Sequence, residues 1–366
     1  MNRQQYRQAI LTAALALGAI SVGVDNADAG RGPPSLGATP QSIETFTYGP
    51  CMGPALYQQV DGTGDSYASC YHNWGLTFGN SVLIYSRTAA ERNASLGTPM
   101  PSGSNVTPGA TNVAQAGLKR ILLAAGITTV NVTESVGSLP GQGTTTGAVI
   151  FLDTSGDVLW DHGRAVNPSF AVPTTTSGYI SAGYVGLRQY MRQGGGFVAI
   201  HNAVGTERNW DWYVGLLGGA STYDSAVPLG QSGMVQIQAA DSSTNTIGLP
   251  GTEFMLGNTT GGDSFFTLVP YPTNVKYLAT VLASSLATPK AVHPGHGLFW
   301  PVAWCQYYDG GRSWVTTLGE DPRLWADLTQ TINQPGGANY FPGAAQFQQM
   351  IVNGVLSAMG KVPFCT

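Results

Sequence analysis

The sequence predicts an α/β protein with three layers, in which helices cover both faces of a mostly parallel sheet and the second half adds antiparallel strands. Three observations predict this fold. Short apolar runs with β-branched residues occur at 81–86, 148–152 and 197–200, and such runs are typical of buried strands. Segments with helical periodicity separate them, as crossovers between parallel strands require. The later strand-like runs are joined by loops alone, which favours antiparallel pairing.

The elements of the first half can be assigned in chain order. A Gly-, Pro- and Ser-rich insertion separates the first strand from the first helix, and Gly126 marks the end of that helix. A triple glycine, 194–196, then turns the chain into its central strand. The predicted elements are strand 81–86, helix 112–125, strands 127–132 and 148–152, helix 180–191 and strand 197–200.

The central strand ends abruptly at His201. Thr206 and Glu207 can open a new helix, which Gly218 and Gly219 would end. His201 therefore lies in a strand-to-helix turn at the carboxyl edge of the sheet, where open α/β sheets bind their ligands. The predicted apolar face of this helix consists of Trp210, Tyr213, Val214 and Leu217.

The pattern changes after this helix. Strand-like runs follow one another without intervening helices, so they extend the sheet edge or form a small antiparallel layer. The predicted elements are strands 235–239, 275–281, 302–307 and 313–318 and a closing helix, 346–359.

Residues 1–29 have the features of a secretory signal peptide. Arg3 and Arg7 precede an apolar core, and Ala27-Asp28-Ala29 matches an A-x-A cleavage site. The core is too short and too rich in alanine for a membrane span, and we expect no span in the mature chain. We therefore expect a secreted or periplasmic protein in which residues 30–79 form an extended arm and residues 80–366 form the α/β domain.

Four cysteines bear on this interpretation. In an exported chain an even number favours disulfides, and three pairings are possible. We prefer Cys51–Cys70, which closes a loop in the arm, and Cys305–Cys365, which ties the tail to the domain. No C-x-x-C spacing supports a metal site at the cysteines.

The charge composition limits the partners. The formal net charge is -4, charged residues make up 10% of the chain, and no basic patch occurs. Nucleic acid and anionic membranes require concentrated Lys and Arg, so both are poor candidate partners, and we expect no nucleic acid partner. A surface rich in Gly, Ser and Thr suits a small-molecule or carbohydrate substrate, although many exported proteins without such a ligand share this composition.

Several catalytic motifs are absent, which leaves His201 as the main candidate. The sequence has no G-x-S-x-G elbow, no dinucleotide fingerprint after a strand, no Walker loop and no H-E-x-x-H. A histidine at the sheet edge can act as a general base or a metal ligand if a carboxylate orients its second nitrogen. The alternative is a histidine that only bonds backbone in the turn. The acids that loops could bring close are Asp153, Asp157, Glu207, Asp263, Glu320 and Asp321.

Three blocks of sequence carry a family resemblance. They are GGGFVAIHNA with the Trp-x-Trp-Tyr-x-x-Leu-Leu-Gly-Gly segment after it, the block 301–321, and the block 82–97. The chain resembles the ThuA-like (trehalose-utilisation) family, whose fold is similar to that of class I glutamine amidotransferases. This resemblance implies a ThuA-like domain over most of 80–366. It also places His201 where amidotransferases have their cysteine nucleophile, so a cysteine mechanism is not expected.

The chain departs from the family pattern at several histidines. The resemblance aligns family histidines with Asn93, Trp300 and Glu320, and it aligns the family's Asp-Glu-aromatic motif with Asp263-Ser264-Phe265. Asn and Trp cannot replace imidazole as a metal ligand, so the cofactor is unknown and a metal is only one option. Glu320 can still bind a metal or accept a proton, and His293 or His296 could replace a lost histidine.

Aromatic and basic residues near predicted strand ends complete the candidate site. Indole rings stack on sugar faces, although tryptophan in a core is more usual, and Arg312 could clamp a polyol or instead pair with Asp309. The candidate catalytic residues are His201, Asp153, Asp263 and Glu320. The candidate substrate-binding residues are Asn202, Glu207, Trp210, Trp304 and Arg312.

The leading hypothesis is an exported enzyme, hydrolase-like or sugar-modifying, that acts on a carbohydrate-type substrate with His201 as general base. The first alternative is a non-catalytic carbohydrate-binding or structural protein, which the missing histidines favour. The second is a hydrolase of a neutral polymer such as a polyester. An enzyme requires His201 to lie in an open pocket within hydrogen-bond reach of a carboxylate.

Overall fold

The computed structural model describes residues 78–141, 144–159, 182–225, 229–287 and 299–366. The predicted signal peptide, nearly all of the predicted arm, Cys51 and Cys70 lie outside these residues. So do His293 and His296.

These residues contain four α-helices and eleven strands. The helices are α1 (Val113–Ala124), α2 (Ala182–Arg192), α3 (Asp211–Leu216) and α4 (Ala344–Ala358). The strands are β1 (Ser81–Tyr85), β2 (Thr129–Thr133), β3 (Ala148–Leu152), β4 (Gly196–Ile200), β5 (Thr222–Ser225), β6 (Gly233–Ile237), β7 (Glu253–Leu256), β8 (Phe266–Leu268), β9 (Lys276–Leu282), β10 (Phe299–Tyr308) and β11 (Gly311–Thr316).

Nine of these strands form one sheet in the order β2-β1-β3-β4-β11-β10-β9-β6-β7, and β5 pairs with β8 separately. The pairs from β2 to β11 are parallel, whereas those from β11 to β7 are antiparallel. The prediction of an α/β sheet that begins parallel and continues antiparallel is therefore confirmed. The similarity to class I amidotransferases in finer detail stays a prediction.

Alternate residues of the parallel strands enter two separate apolar clusters, because successive side chains of a strand point to opposite faces. Ile84 and Ile150 belong to one cluster, together with side chains of α1 and α4. Tyr85 and Phe151 belong to the other, which includes side chains of α2 and α3. The buried strands β3 and β4 thus have apolar contacts on both sides, which explains their unbroken apolar sequences.

Three short strands are absent from the sequence prediction, and one helix starts later than predicted. Strands β5, β7 and β8 have only three or four residues, too few for a clear alternating pattern. After β4 the chain forms a 3₁₀ turn, His201–Gly205, and the helix begins at Asp211 rather than at Thr206. Its buried residues include Trp212 and Leu216, so the apolar face is shifted from the predicted one.

The tail is held to the sheet by a disulfide between Cys305, on β10, and Cys365. This is the predicted pairing. Among the described residues, no helix combines the length and apolarity that a membrane crossing needs.

We expect the double change Cys305→Ala and Cys365→Ala to lower the free energy of unfolding by about 2–4 kcal/mol, because the bond restricts the unfolded chain. The sequence separation between the two residues is 60. Urea unfolding of the variant and the wild type measures the difference. Peptide mapping without reduction should recover both cysteines in one linked peptide, and a free thiol at Cys305 would contradict the pairing.

Candidate functional site

The candidate site is built where β3 and β4 end side by side. Leu152 pairs with Ile200 in parallel register, so Asp153 and His201 follow at the same edge of the sheet. Both residues have a φ of 55°, in the left-handed region that non-glycine residues rarely adopt. Such backbone conformations cost free energy and persist where the surroundings hold them, which is common at functional sites.

Asp153 orients the imidazole of His201. The Nδ1 atom of His201 lies 2.7 Å from Oδ1 of Asp153, and the backbone N–H of Asn202 donates to the same oxygen at 3.4 Å. The hydroxyl of Ser95 donates to the other oxygen of Asp153 at 3.1 Å. Because Nδ1 is occupied by the carboxylate, Nε2 is the atom that can face a substrate or a ligand.

Asp263 and Glu320 lie on the Nε2 side of the ring. Oδ1 of Asp263 is 3.7 Å from Nε2, too far for a hydrogen bond. Asp263 is held by the backbone N–H groups of Gly319, at 2.8 Å, and Ser264, at 3.0 Å. Nε2 of His201 and Oε2 of Glu320 are both buried without a hydrogen-bond partner.

Burial and neighbouring charges shift the pKa values of this cluster. Burial lowers the pKa of His201, but the charge and hydrogen bond of Asp153 and the charges of Asp263 and Glu320 outweigh it, and the pKa rises to about 9. Burial raises the pKa of Asp263 to about 7, against the opposing charge of His201. At neutral pH the imidazole then carries a proton. In this charge state the imidazole is a proton donor, and it acts as a base only after releasing its proton; the role of His201 as general base stays a prediction.

The enzyme hypothesis required two features of His201, and the structure has one of them. A carboxylate lies within hydrogen-bond reach, but the imidazole side chain is only 3% exposed, so it does not lie in an open pocket. Phe266 covers the ring at a centroid distance of 4.9 Å, and a Cβ atom added at Gly319 would lie 3.4 Å from the Cβ atom of His201. Glu320 is the partly exposed member of the cluster.

A polar cleft adjoins this cluster. It has a volume of about 420 Å³, within the range of small-molecule sites. Asn202, the residue after His201, lines the cleft and links it to the cluster through its contact with Asp153. The other polar side chains at its wall are Glu91, Ser155, Asp157, Arg208 and Asn209.

Of the predicted substrate-binding residues, Asn202 lines this cleft, and the structure places the other four elsewhere. Trp304 is fully buried, and its indole N–H donates to the carbonyl of Leu217. Arg312 donates to the carbonyl of Ala358 and lies at the start of β11, opposite Gly196, at the other edge of the sheet from His201. Trp304 and Arg312 therefore lie away from this cleft.

Glu207 and Trp210 also have structural contacts. The Glu207 carboxylate is buried and accepts hydrogen bonds from the backbone N–H of Leu159, at 2.8 Å, and from the hydroxyl of Tyr184. Trp210 packs against the rings of Tyr184 and Trp212, with centroid distances of 4.5 Å and 4.7 Å. Neither residue is among those that line the cleft.

Asp309 was expected to pair with Arg312. It accepts a hydrogen bond from Nε of Arg192 at 3.1 Å, lies 3.6 Å from Nε of Arg188, and also accepts the indole N–H of Trp212. The expected ion pair with Arg312 is replaced by these contacts.

The sequence interpretation missed two groups that hold the cluster in place. Ser95 belongs to a 3₁₀ turn after β1, and Asn93 caps this turn by accepting the N–H of Ser95. The backbone N–H of Gly319 holds Asp263. Ser95 is 58 residues from Asp153 in the sequence, and a backbone donor has no residue signature, so no sequence pattern could identify either contact.

The buried carboxyl group of Glu207 should make the stability of the fold depend on pH. Burial raises its pKa to about 7, compared with 4.5 for the free side chain. Between these two pKa values the folded protein keeps the proton that the unfolded chain has lost. The stabilisation of the folded state by this proton is therefore complete at low pH and is lost as the pH rises through about 7. As the pH rises between these two pKa values, we expect the free energy of unfolding of the wild type to fall by about 3 kcal/mol relative to that of Glu207→Gln. Each pH unit contributes about 1.4 kcal/mol. Urea unfolding of both proteins from acidic to neutral pH measures this. Parallel pH profiles would disprove the assignment.

The comparisons with known proteins concern the family and the fold. The family model described as ThuA, trehalose utilisation, matches residues 104–341. A comparison with curated protein sequences finds no match.

The solved structures that are similar to the chain include two ThuA-like proteins and a β-galactosidase. A ThuA-like protein from Bacteroides uniformis is 18% identical, with a TM-score of 0.47, over 76% of this chain and 93% of that chain. A ThuA-like protein from Parabacteroides merdae is 16% identical, with a TM-score of 0.45, over 77% and 91%. A β-galactosidase from Rahnella sp. R3 is 12% identical, with a TM-score of 0.41, over 79% and 32%. Because the family model spans more than half of the sequence, the chain belongs to the ThuA (trehalose utilisation) family.

Proposed function

We propose that this protein is a carbohydrate-active enzyme, hydrolase-like or sugar-modifying, whose reaction centre is the cluster of His201, Asp153, Asp263 and Glu320. The observation that carries the proposal is the 2.7 Å contact between Nδ1 of His201 and Asp153, which leaves Nε2 without a partner beside a second carboxylate. An imidazole oriented by one carboxylate can exchange a proton with a substrate hydroxyl. After His201 has released its proton, it is the general base that the sequence predicts.

Two further observations support a carbohydrate as the substrate class. The family model is described by trehalose utilisation, a process that concerns a neutral disaccharide. The cleft beside the cluster offers amide, hydroxyl, carboxylate and guanidinium groups, which match the donors and acceptors of a polyol. We place the sugar in this cleft, with its reacting hydroxyl towards Asn202, the lining residue that adjoins His201. We also propose that the chain is exported, on the basis of its amino-terminal sequence.

A second candidate function is carbohydrate binding without catalysis. The 3% exposure of the His201 side chain favours it, because a buried imidazole cannot touch a ligand unless the surrounding groups move. In this case Asp153 and His201 would only stabilise the turns that form the wall of the cleft.

Turnover measurements distinguish the two functions. The full chain would be incubated with neutral disaccharides, their oxidised and acetylated forms, and a soluble polyester, and products would be followed by mass spectrometry. Calorimetry of the same sugars measures binding. Under the enzyme proposal, His201→Ala lowers kcat/KM by at least about a hundredfold. Sugar binding without any product, equal in the wild type and His201→Ala, would support the binding function and reject the enzyme.

Asp153 is a positioning residue in this proposal, and we expect Asp153→Asn to lower kcat on the order of a hundredfold with little change in KM. The asparagine keeps the shape but removes the charge that stabilises the imidazolium. Asn209→Ala is the matched control, because Asn209 lines the cleft outside the cluster. It should raise KM and leave kcat almost unchanged. An Asp153→Asn protein with wild-type kcat and an unaltered pH profile would contradict the role.

A further inference from the structure

The cluster around His201 contains polar atoms whose bonding is incomplete. Nε2 of His201 and Oε2 of Glu320 are buried and have no hydrogen-bond partner. A buried polar atom without a partner costs free energy, so native proteins rarely keep two of them side by side unless a ligand completes them. The two residues form a close group with Asp263, in which each offers one possible ligand atom.

The distances in this space suit a metal ion better than hydrogen bonds. One donor atom from each of His201, Asp263 and Glu320 lies within 4.8 Å of the others. Nε2 and Oδ1 of Asp263 are 3.7 Å apart. Two ligands of a tetrahedral ion with bonds of about 2.1 Å are about 3.4 Å apart, so this pair needs little movement. Glu320 is partly exposed and can rotate to close the remaining gap.

The charges in the cluster also favour a cation. Three carboxylates, those of Asp153, Asp263 and Glu320, surround one imidazole. Within the part of the chain that the structure describes, no lysine or arginine forms an ion pair with any of the three. Their charges therefore exceed the single positive charge that a protonated imidazole supplies, and a divalent ion would balance them.

Asp153 holds the His201 ring in an orientation that suits a metal ligand. Metal-binding histidines usually donate their other N–H to a carboxylate, which fixes the tautomer and the ring orientation. Here Asp153 occupies Nδ1 at 2.7 Å and is itself held by Ser95. Nε2 then lies 3.7 Å from Oδ1 of Asp263, a carboxylate that backbone N–H groups hold in place.

We propose that Nε2 of His201 and the carboxylates of Asp263 and Glu320 bind a divalent transition-metal ion. One imidazole with two carboxylates suits Zn²⁺ or Mn²⁺, whereas Mg²⁺ and Ca²⁺ prefer oxygen ligands alone. Three protein ligands leave a coordination position for water, as in catalytic metal sites. This inference rests on the reaction centre of the proposed function and deepens it: with an ion bound, Nε2 would be a ligand, and the ion would supply the means to activate a water as the base.

Calorimetric titration of the full, untagged chain with ZnCl₂ after treatment with a chelator tests the site. We expect one ion per chain, with binding at least tenfold weaker in His201→Ala and in Glu320→Gln. Asp153→Asn should weaken binding by about 10- to 100-fold. The matched control is Asp321→Asn, because Asp321 adjoins Glu320 but pairs with Arg323 at 2.7 Å. This control should bind Zn²⁺ like the wild type, and MgCl₂ should bind more weakly.

A second measurement does not depend on whether the variants fold. Co²⁺ added to the wild type should produce visible absorption bands of a four-coordinate ion, and Zn²⁺ should remove them. Absence of one-to-one binding, or binding unchanged in both His201→Ala and Glu320→Gln, would overturn the proposal.

The two proposals can fail separately, because ion binding is measured without a substrate. A chain that binds Zn²⁺ with this pattern but converts no sugar keeps the metal site and loses the proposed enzyme function. A chain that binds no ion but shows turnover dependent on His201 keeps the enzyme function and loses the metal site.

Discussion

The hydrogen bond between His201 and Asp153 depends on the register of two buried strands. Strands β3 and β4 have the same length and pair residue for residue, so their last residues are level. The residue after each then leaves the sheet with a positive φ, and the two side chains meet across the strand boundary. A shift of one residue in either strand would turn one of the side chains to the opposite face of the sheet. The apolar packing on both faces of β3 and β4 therefore fixes the site as well as the fold.

The two halves of the sheet contribute different members of the cluster. The parallel half supplies Asp153 and His201, while Glu320 follows β11, the strand that pairs with β4 in parallel and opens the antiparallel half. Asp263 comes from a loop that is bridged to Gln231 and held by Gly319. The antiparallel strands thus do more than widen the sheet. The loops after β7 and β11 bring the carboxylates of Asp263 and Glu320 to the Nε2 side of His201.

Sequence reasoning succeeded where one periodic pattern determined the outcome. The apolar runs of β3 and β4 predicted their carboxyl ends, and therefore the meeting of Asp153 and His201. It failed where the direction of a side chain or of a strand decided the result. Arg312 lies near a strand end, but at the start of β11 rather than at its finish, and the Trp304 indole lies in the core. The burial of His201 depends on Phe266 and Gly319, which come from distant parts of the chain and lack any local signature.

The sheet order also governs contacts between separate molecules. Among the strands that the structure describes, β2 and β7 are the two outermost members of the sheet, and the edge of a sheet can recruit a strand from another chain. The backbone N–H of Val106 already occupies the carbonyl of Val132 in β2. At the other margin β7 has only four residues, which limits pairing with another chain, and its exposed side chains are Glu253 and Met255. Each margin thus has a feature that discourages fibrous aggregation, a benefit for a chain with so few charged residues to keep its copies apart.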